Sequence, residues 1–163
     1  MANPGGDQQM QPTAESPEII AFASRMYDAA RKGDTAVFEQ ALPAGLPPNM
    51  TNDKGDSLLM LATYHGHAQL TRLLLSHGAD PNRLNDRGQS PLAGVVFKDE
   101  QEIVNVLLEN GADVDLGRPS AAEAVELFKK ADVYGKKFEE ARERLKKRNE
   151  GGIGGTKGAS QMV

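Results

Sequence analysis

The 163-residue chain contains no cysteine, which removes disulfide frameworks, thiolate metal sites and cysteine nucleophiles from consideration. Tryptophan is absent as well, and aromatic residues make up only 5% of the chain. No apolar run approaches the roughly 20 residues needed to cross a bilayer. The first residues, Met1 to Asp7, show neither the basic start nor the hydrophobic stretch of a secretory signal. The expectation is therefore an intracellular, soluble protein of the cytoplasm or nucleus, with no membrane contact. What is present is ordinary globular material, 39% apolar and 26% charged, in a length that suits one domain.

The net charge of −4 is unevenly spread. Residues 129–148 carry nine Lys/Arg against four Asp/Glu, so the remainder is acidic, with a net charge of −9. An acidic body with one basic end argues against general DNA binding, which needs a basic footprint across the docking face.

The chain repeats itself at an offset of 33. Asn52-Asp53-Lys54-Gly55 recurs as Asn85-Asp86-Arg87-Gly88, and Ser57 as Ser90. His77-Gly78-Ala79-Asp80-Pro81-Asn82 recurs as Asn110-Gly111-Ala112-Asp113-Val114-Asp115, and Gly33, Leu42, Gly45 and Asn49 precede Gly66, Leu75, Gly78 and Asn82 by the same step. A fixed period of this length is the mark of a repeat architecture. Each unit reads as turn, helix, turn, helix. Ser57 and Ser90 are placed to cap a first helix, and Pro91 takes the first helical position, where its missing N–H costs nothing. Leu70, Leu73 and Leu74, then Ile103, Val106 and Leu107, give second helices with one buried face, each closed by a glycine. No helix pair can bury its own apolar face, but stacked pairs can.

The stretch from Gly55 to His67, followed by Leu73 to Asn82, resembles an ankyrin repeat, whose pattern contains Gly-x-Thr-Pro-Leu-His and Gly-Ala-Asp-x-Asn. The resemblance covers about residues 17–115 and continues in looser form to 148. Thr-Pro-Leu-His appears here as Ser57-Leu58-Leu59-Met60 and Ser90-Pro91-Leu92-Ala93, so the histidine that ties that turn in the family is missing from both units. The resemblance implies an all-α solenoid of stacked helix-turn-helix units with short hairpin tips. Its repeats fall at about 17–51, 52–84 and 85–117, with a degenerate C-terminal cap at 118–148. The composition predicts disorder for residues 1–15 and for the Gly-rich tail 149–163.

Within this frame, Ser16 opens a first helix with Ile19, Ile20, Ala23, Tyr27 and Ala30 on one side, and Asp34 to Leu42 forms its partner. The turn before Ser120 is three residues shorter than the period demands. Ser120 and Glu123 then make a capping box, ahead of Ala124, Val125, Leu127 and Phe128. A last helix, about 133–148, sets Tyr134, Phe138, Ala141 and Leu145 on one side and leaves its other faces charged, as a solubilising cap requires.

Little in the sequence points to chemistry. His65, His67 and His77 diverge on such a scaffold, and no convergent set of metal ligands accompanies them. The acidic pairs Asp53/Asp56, Asp99/Glu100 and Glu139/Glu140 have no visible source of desolvation and no neighbouring nucleophile. The expectation is a non-enzyme with no cofactor and no metal, monomeric, binding a protein as adaptor, scaffold or inhibitor.

The resemblance also implies where the partner docks, on the concave side made by the turn tips and the exposed side of each first helix. Carried onto this chain, that gives Asp53, Lys54, Asp56, Tyr64 and His65 in one unit. The next unit gives Asp86, Arg87, Gln89, Phe97 and Lys98, and the first repeat contributes Arg31 and Lys32. Tyr64 and Phe97, 33 residues apart, are expected side by side as an aromatic anchor among cations, favouring a partner segment of acidic character. Two alternatives remain open. The acidic body suits an assembly factor shielding a basic client. The last helix, with Lys136, Lys137, Arg142, Lys146, Lys147 and Arg148, suits contact with nucleic acid, although its aromatics are committed to the core.

Overall fold

The computed structural model describes residues 16–160, with side chains through Gly151. The expected disorder of residues 1–15, and of 161–163, lies outside the described residues. Eight helices occur among those described: α1 (Pro17–Lys32), α2 (Thr35–Ala41), α3 (Leu58–Tyr64), α4 (Ala68–Ser76), α5 (Pro91–Lys98), α6 (Gln101–Glu109), α7 (Ala121–Leu127) and α8 (Ala131–Ser160). The first helices of successive units, α1, α3, α5 and α7, pack side by side in one row, and α2, α4 and α6 form a second row behind them.

The serine caps explain where the first helices begin. The hydroxyls of Ser57, Ser90 and Ser120 accept hydrogen bonds from the amides of Met60, Ala93 and Glu123 at 3.0, 3.2 and 3.1 Å. Glu123 returns the contact, accepting from the Ser120 amide at 2.8 Å, so the capping box is complete.

Between the helices, each tip is a short hairpin held by its asparagine. The Asn52 side-chain oxygen accepts from the amides of Lys54 and Asp56, and that of Asn85 from the amides of Arg87 and Gln89. Adjacent tips are zipped together, with the Asp86 amide donating to the Lys54 carbonyl at 3.0 Å and the Asn85 amide group to Asp56 at 2.9 Å. A second ladder joins the units at the far end of each second helix. Asn49 donates to the Gly78 carbonyl and accepts from the Asp80 amide. One period later, Asn82 does the same with Gly111 and Asp113.

Burial follows from the stacking. Helix α3 is enclosed between α1, α4 and α5, so all of Leu58–Thr63 is buried, far more than one amphipathic stripe. Gly33 is required where α1 turns into α2. Its φ is +71°, and a Cβ there would lie 2.4 Å from the His67 ring. That ring sits against Gly33 and bonds through Nε2 to the Arg31 carbonyl at 2.7 Å, so His67 fastens the second unit to the first. Asp99 occupies the equivalent left-handed position of the third unit (φ 60°), at a cost of roughly 1 kcal/mol for a residue with a Cβ.

The described residues add to or depart from the sequence pattern at three points. In α1 the buried residues are Met26, Ala29 and Ala30, while Ile20 is exposed. Among the described residues α1 packs against α2 and α3, so its buried stripe is turned toward them. Leu127 is 68% exposed and belongs to no core face. The backbone of α8 begins at Ala131, ahead of the expected start at about 133, and is helical to Ser160.

Candidate functional site

The three-residue-shorter turn before Ser120 sets the geometry of the exposed edge. The left-handed positions that end the first helices are Gly33, Gly66, Asp99 and Lys129, so the last step is 30 residues rather than 33. Leu127 is therefore the counterpart of Tyr64 and Phe97, and Phe128 is the counterpart of His65 and Lys98. Tyr64, Phe97 and Phe128 are 45%, 59% and 39% exposed. They rim one cleft of about 330 Å³, floored by Met60, Ala93 and Gly94 and closed toward the cap by Pro119 and Ala124. The cleft exists because α5 carries Ala93-Gly94 where α3 carries Met60-Leu61. Glycine in a helix interior costs roughly 0.5–1 kcal/mol relative to alanine, and here it leaves room in front of Tyr64. A Cβ at position 94 would come no closer than 3.7 Å to that ring.

Tyr64 and Phe97 share this cleft but do not stack on each other. Phe97 pairs with Phe128 (centroids 5.1 Å apart), and Tyr64 meets His65 edge-on (5.4 Å). The Lys98 ammonium lies 4.2 Å from the centre of the Tyr64 ring, within range of a cation–π contact. Gln89 lines the same cleft and also a second one, which runs between the tips past Lys54, Asp56 and Arg87. Asp53 and Asp86 are exposed at the tips.

Arg31 and Lys32 line neither cleft. Arg31 pairs with Asp28 at 2.8 Å, and Lys32 is exposed at the end of α1. Partial burial, then the positive charges of Lys98, His67 and Arg31, hold His65 below the usual histidine pKa. Phe128 is not among the expected site residues. The signal that finds it is the shortened turn.

The wall at Phe128 is only as firm as the cap. The Tyr134 hydroxyl donates to Asp99 at 2.7 Å and the Lys130 ammonium approaches the same carboxylate at 3.1 Å. Arg142 forks onto Asp115 at 2.8 and 2.6 Å. Asp115 is the next member of the Asn49–Asn82 series, and it turns to α8 instead of to a further repeat. The bond from Tyr134, then that from Lys130, pulls the Asp99 pKa down, and the Arg142 bond does the same to Asp115. Burial, and then the bond to Asp99, pushes the Tyr134 phenol well up.

Depressed carboxylates contribute stability above their unfolded pKa of about 4, and that contribution is lost as pH falls through the lower folded values. A raised phenol contributes below about pH 10, and loses its contribution as pH rises past it. The thermal midpoint of the cap is therefore expected to drop below about pH 4 and again above about pH 10. The Asp99→Asn/Asp115→Asn variant is expected to lose the acid-side drop, which melting curves across pH will show.

Among the described residues, no group of three or more His, Asp or Glu side chains is arranged to hold a metal ion. His77 is exposed and turned to the Leu73 carbonyl. On the last helix, Arg142 is engaged by Asp115 and Glu139, and Lys137 donates to Asn105 at 3.0 Å. Among the described residues, no helix is long and apolar enough to cross a membrane.

Two-helix units in register, hairpin tips zipped in a line and an exposed row of aromatic and charged side chains define a helical repeat protein whose outward surface is open to other molecules. A family model for ankyrin repeats in three copies matches residues 26–117, and the chain belongs to the ankyrin repeat family. It is 55% identical over 56 residues to an ankyrin repeat protein of Pseudomonas aeruginosa, covering 34% of this chain and 33% of that one. It also matches the crystal structure of the human ASB11 ankyrin repeat domain, with a TM-score of 0.52 and 29% identity over 55% of this chain and 40% of that chain. The chain thus spans about a third of the curated relative it matches and two fifths of the solved domain. Ankyrin repeats are in general protein–protein interaction modules and typically not enzymes.

Proposed function

We propose that the chain is a non-catalytic protein-binding module, acting as adaptor, scaffold or inhibitor. It takes an apolar side chain of an acidic partner segment into the cleft that spans the second and third repeats and the cap. The observation that carries this reading is the set of three solvent-facing aromatics, Tyr64, Phe97 and Phe128, around a floor kept open by Gly94. Exposed apolar surface of this kind marks interaction sites, and aromatic residues dominate binding hot spots. Lys98 beside Tyr64, with Lys54 and Arg87 along the adjoining cleft, favours acidic residues on either side of the inserted one.

Filling the floor tests the reading without touching the rim. Gly94→Ala is expected to raise stability by roughly 0.5–1 kcal/mol, since the new Cβ meets only ordinary contact and the helix loses a glycine. Gly94→Leu is expected to stay folded and to lose partner capture, measured by affinity capture from cell extract beside the wild-type chain. Equal capture by the two proteins would move the binding site off this cleft. A salt series on the captured complex separates the alternatives. Contact with nucleic acid through α8 falls log-linearly with salt, whereas an apolar-anchored contact changes little.

A further inference from the structure

The two ends of the stack are unlike. At the C-terminal end α8 turns Glu139, Glu140, Glu143, Lys146 and Lys147 to solvent, a polar outer face of the kind a terminal repeat needs. At the N-terminal end no repeat precedes α1 and α2 among the described residues, and the surface there is apolar. Phe22 is 42% exposed and opens, with Met26, Val37, Ala41 and Leu46, onto a shallow depression between the two helices.

Glu18, Ala21, Phe22 and Arg25 follow one another on α1 at steps of three, one and three, which places them on one stripe of the helix. Among the described residues neither Glu18 nor Arg25 forms an ion pair within the chain, and the Arg25 guanidinium lies 5.9 Å from the centre of the Phe22 ring. The stripe is therefore apolar in its middle, negative at one end and positive at the other. That is the pattern of a surface that fits its own copy turned by 180°.

We propose that this face binds a second copy of the chain, α1 against α1 and antiparallel about a two-fold axis, in place of the monomer expected from the sequence. In that register Glu18 lies opposite Arg25 of the partner subunit, and Phe22 opposite Ala21 of the partner subunit, so a large side chain meets a small one. The Glu18–Arg25 pair therefore forms twice by symmetry, as an isologous interface requires. Other occupants fit less well. A head-to-tail stack would press this apolar face onto the charged outer side of α8. The fifteen residues ahead of Ser16 contain Met1 and Met10 as their only apolar side chains larger than proline, too little to cover Phe22 and the depression beside it.

Sedimentation equilibrium of the full-length chain across a wide concentration range, at low salt, tests the proposal by charge exchange. The wild type is expected to move from the monomer mass toward twice that mass. Glu18→Arg alone and Arg25→Glu alone each set like charges opposite one another twice, and are expected to weaken association about tenfold or more. The double exchange Glu18→Arg/Arg25→Glu restores both pairs and is expected to recover most of the lost association, while Phe22→Glu abolishes it. All three substituted positions are exposed, and circular dichroism checks that each of the four variants is folded. A wild type that stays monomeric to millimolar concentration overturns the proposal, as does a folded double exchange that associates no better than the single ones. If the wild type is monomeric and removing residues 2–15 makes it associate, the N-terminal segment is the occupant instead.

Discussion

The Tyr64→Ala/Phe97→Ala variant is expected to keep its helical content and a thermal midpoint within several degrees of the wild type, and to bind the captured partner more than tenfold more weakly. Both rings are about half exposed, so truncating them opens no cavity in the core. What the fold loses is the Phe97–Phe128 pair, worth about 0.5–1.5 kcal/mol, and the Lys98–Tyr64 contact, worth about 0.5–1 kcal/mol at an exposed site. What a partner loses is larger. Two opposed walls of the cleft go at once, and a tenfold drop corresponds to only about 1.4 kcal/mol, less than a single hot-spot aromatic commonly supplies. Calorimetry on the wild type, the double variant and Leu127→Ala measures this. Leu127 is the neighbouring exposed apolar residue outside the cleft, so its loss is expected to leave affinity nearly unchanged. Unaltered affinity in a folded double variant would place the binding surface elsewhere on the stack.

Tyr134→Ala acts on the same cleft from behind. The ring is fully buried, and truncating a buried aromatic costs about 3–5 kcal/mol. Asp99, in its left-handed turn, also loses the hydroxyl that holds it. In a stack stabilised by nearest-neighbour contacts the loss stays local. The expected result is a cap, α7 and α8, that unfolds before the repeats, read as lost amide protection in native-state hydrogen exchange while α3 and α4 remain protected. Phe128 leaves with the cap, so partner affinity falls although Tyr64 and Phe97 are untouched. Tyr134→Phe keeps the ring and gives up one hydrogen bond, at about 1 kcal/mol, and is expected to retain both cap and binding. Uniform destabilisation of all eight helices by Tyr134→Ala would show instead that the cap and the repeats unfold as one unit.

Much of the fold was legible because the repeat prints the same local instructions at a fixed interval. Ser57, Ser90 and Ser120 cap their helices as their spacing predicts, and the buried leucines of α4 and the Ile103–Leu107 face of α6 follow from helical periodicity. Tyr64 and Phe97 were legible as exposed, since they fall at matching positions beyond the apolar run of each first helix. Their mutual arrangement was not, because adjacency in a stack does not tell which neighbour a ring turns toward. Phe97 turned to Phe128, and Tyr64 to His65 and Lys98. The exposure of Leu127 and Phe128 was not legible, because a short apolar segment looks alike whether it is packed or solvent-facing. Ile20 falls on the apolar side by periodicity yet is exposed, because among the described residues α1 turns Met26, Ala29 and Ala30 toward its neighbours.

Period, caps and turn residues therefore determined the architecture by themselves, since each acts through bonds reaching only a few residues along the chain. The tertiary structure alone decided which exposed side chains form a site. The small pair Ala93-Gly94 opens a cleft only once α3, α5 and α7 lie side by side, and Phe128 becomes its wall only once Asp99 and Asp115 have drawn the cap against the third repeat. Those contacts join residues about 30 apart, a distance over which packing and charge act through space while local propensity no longer carries information.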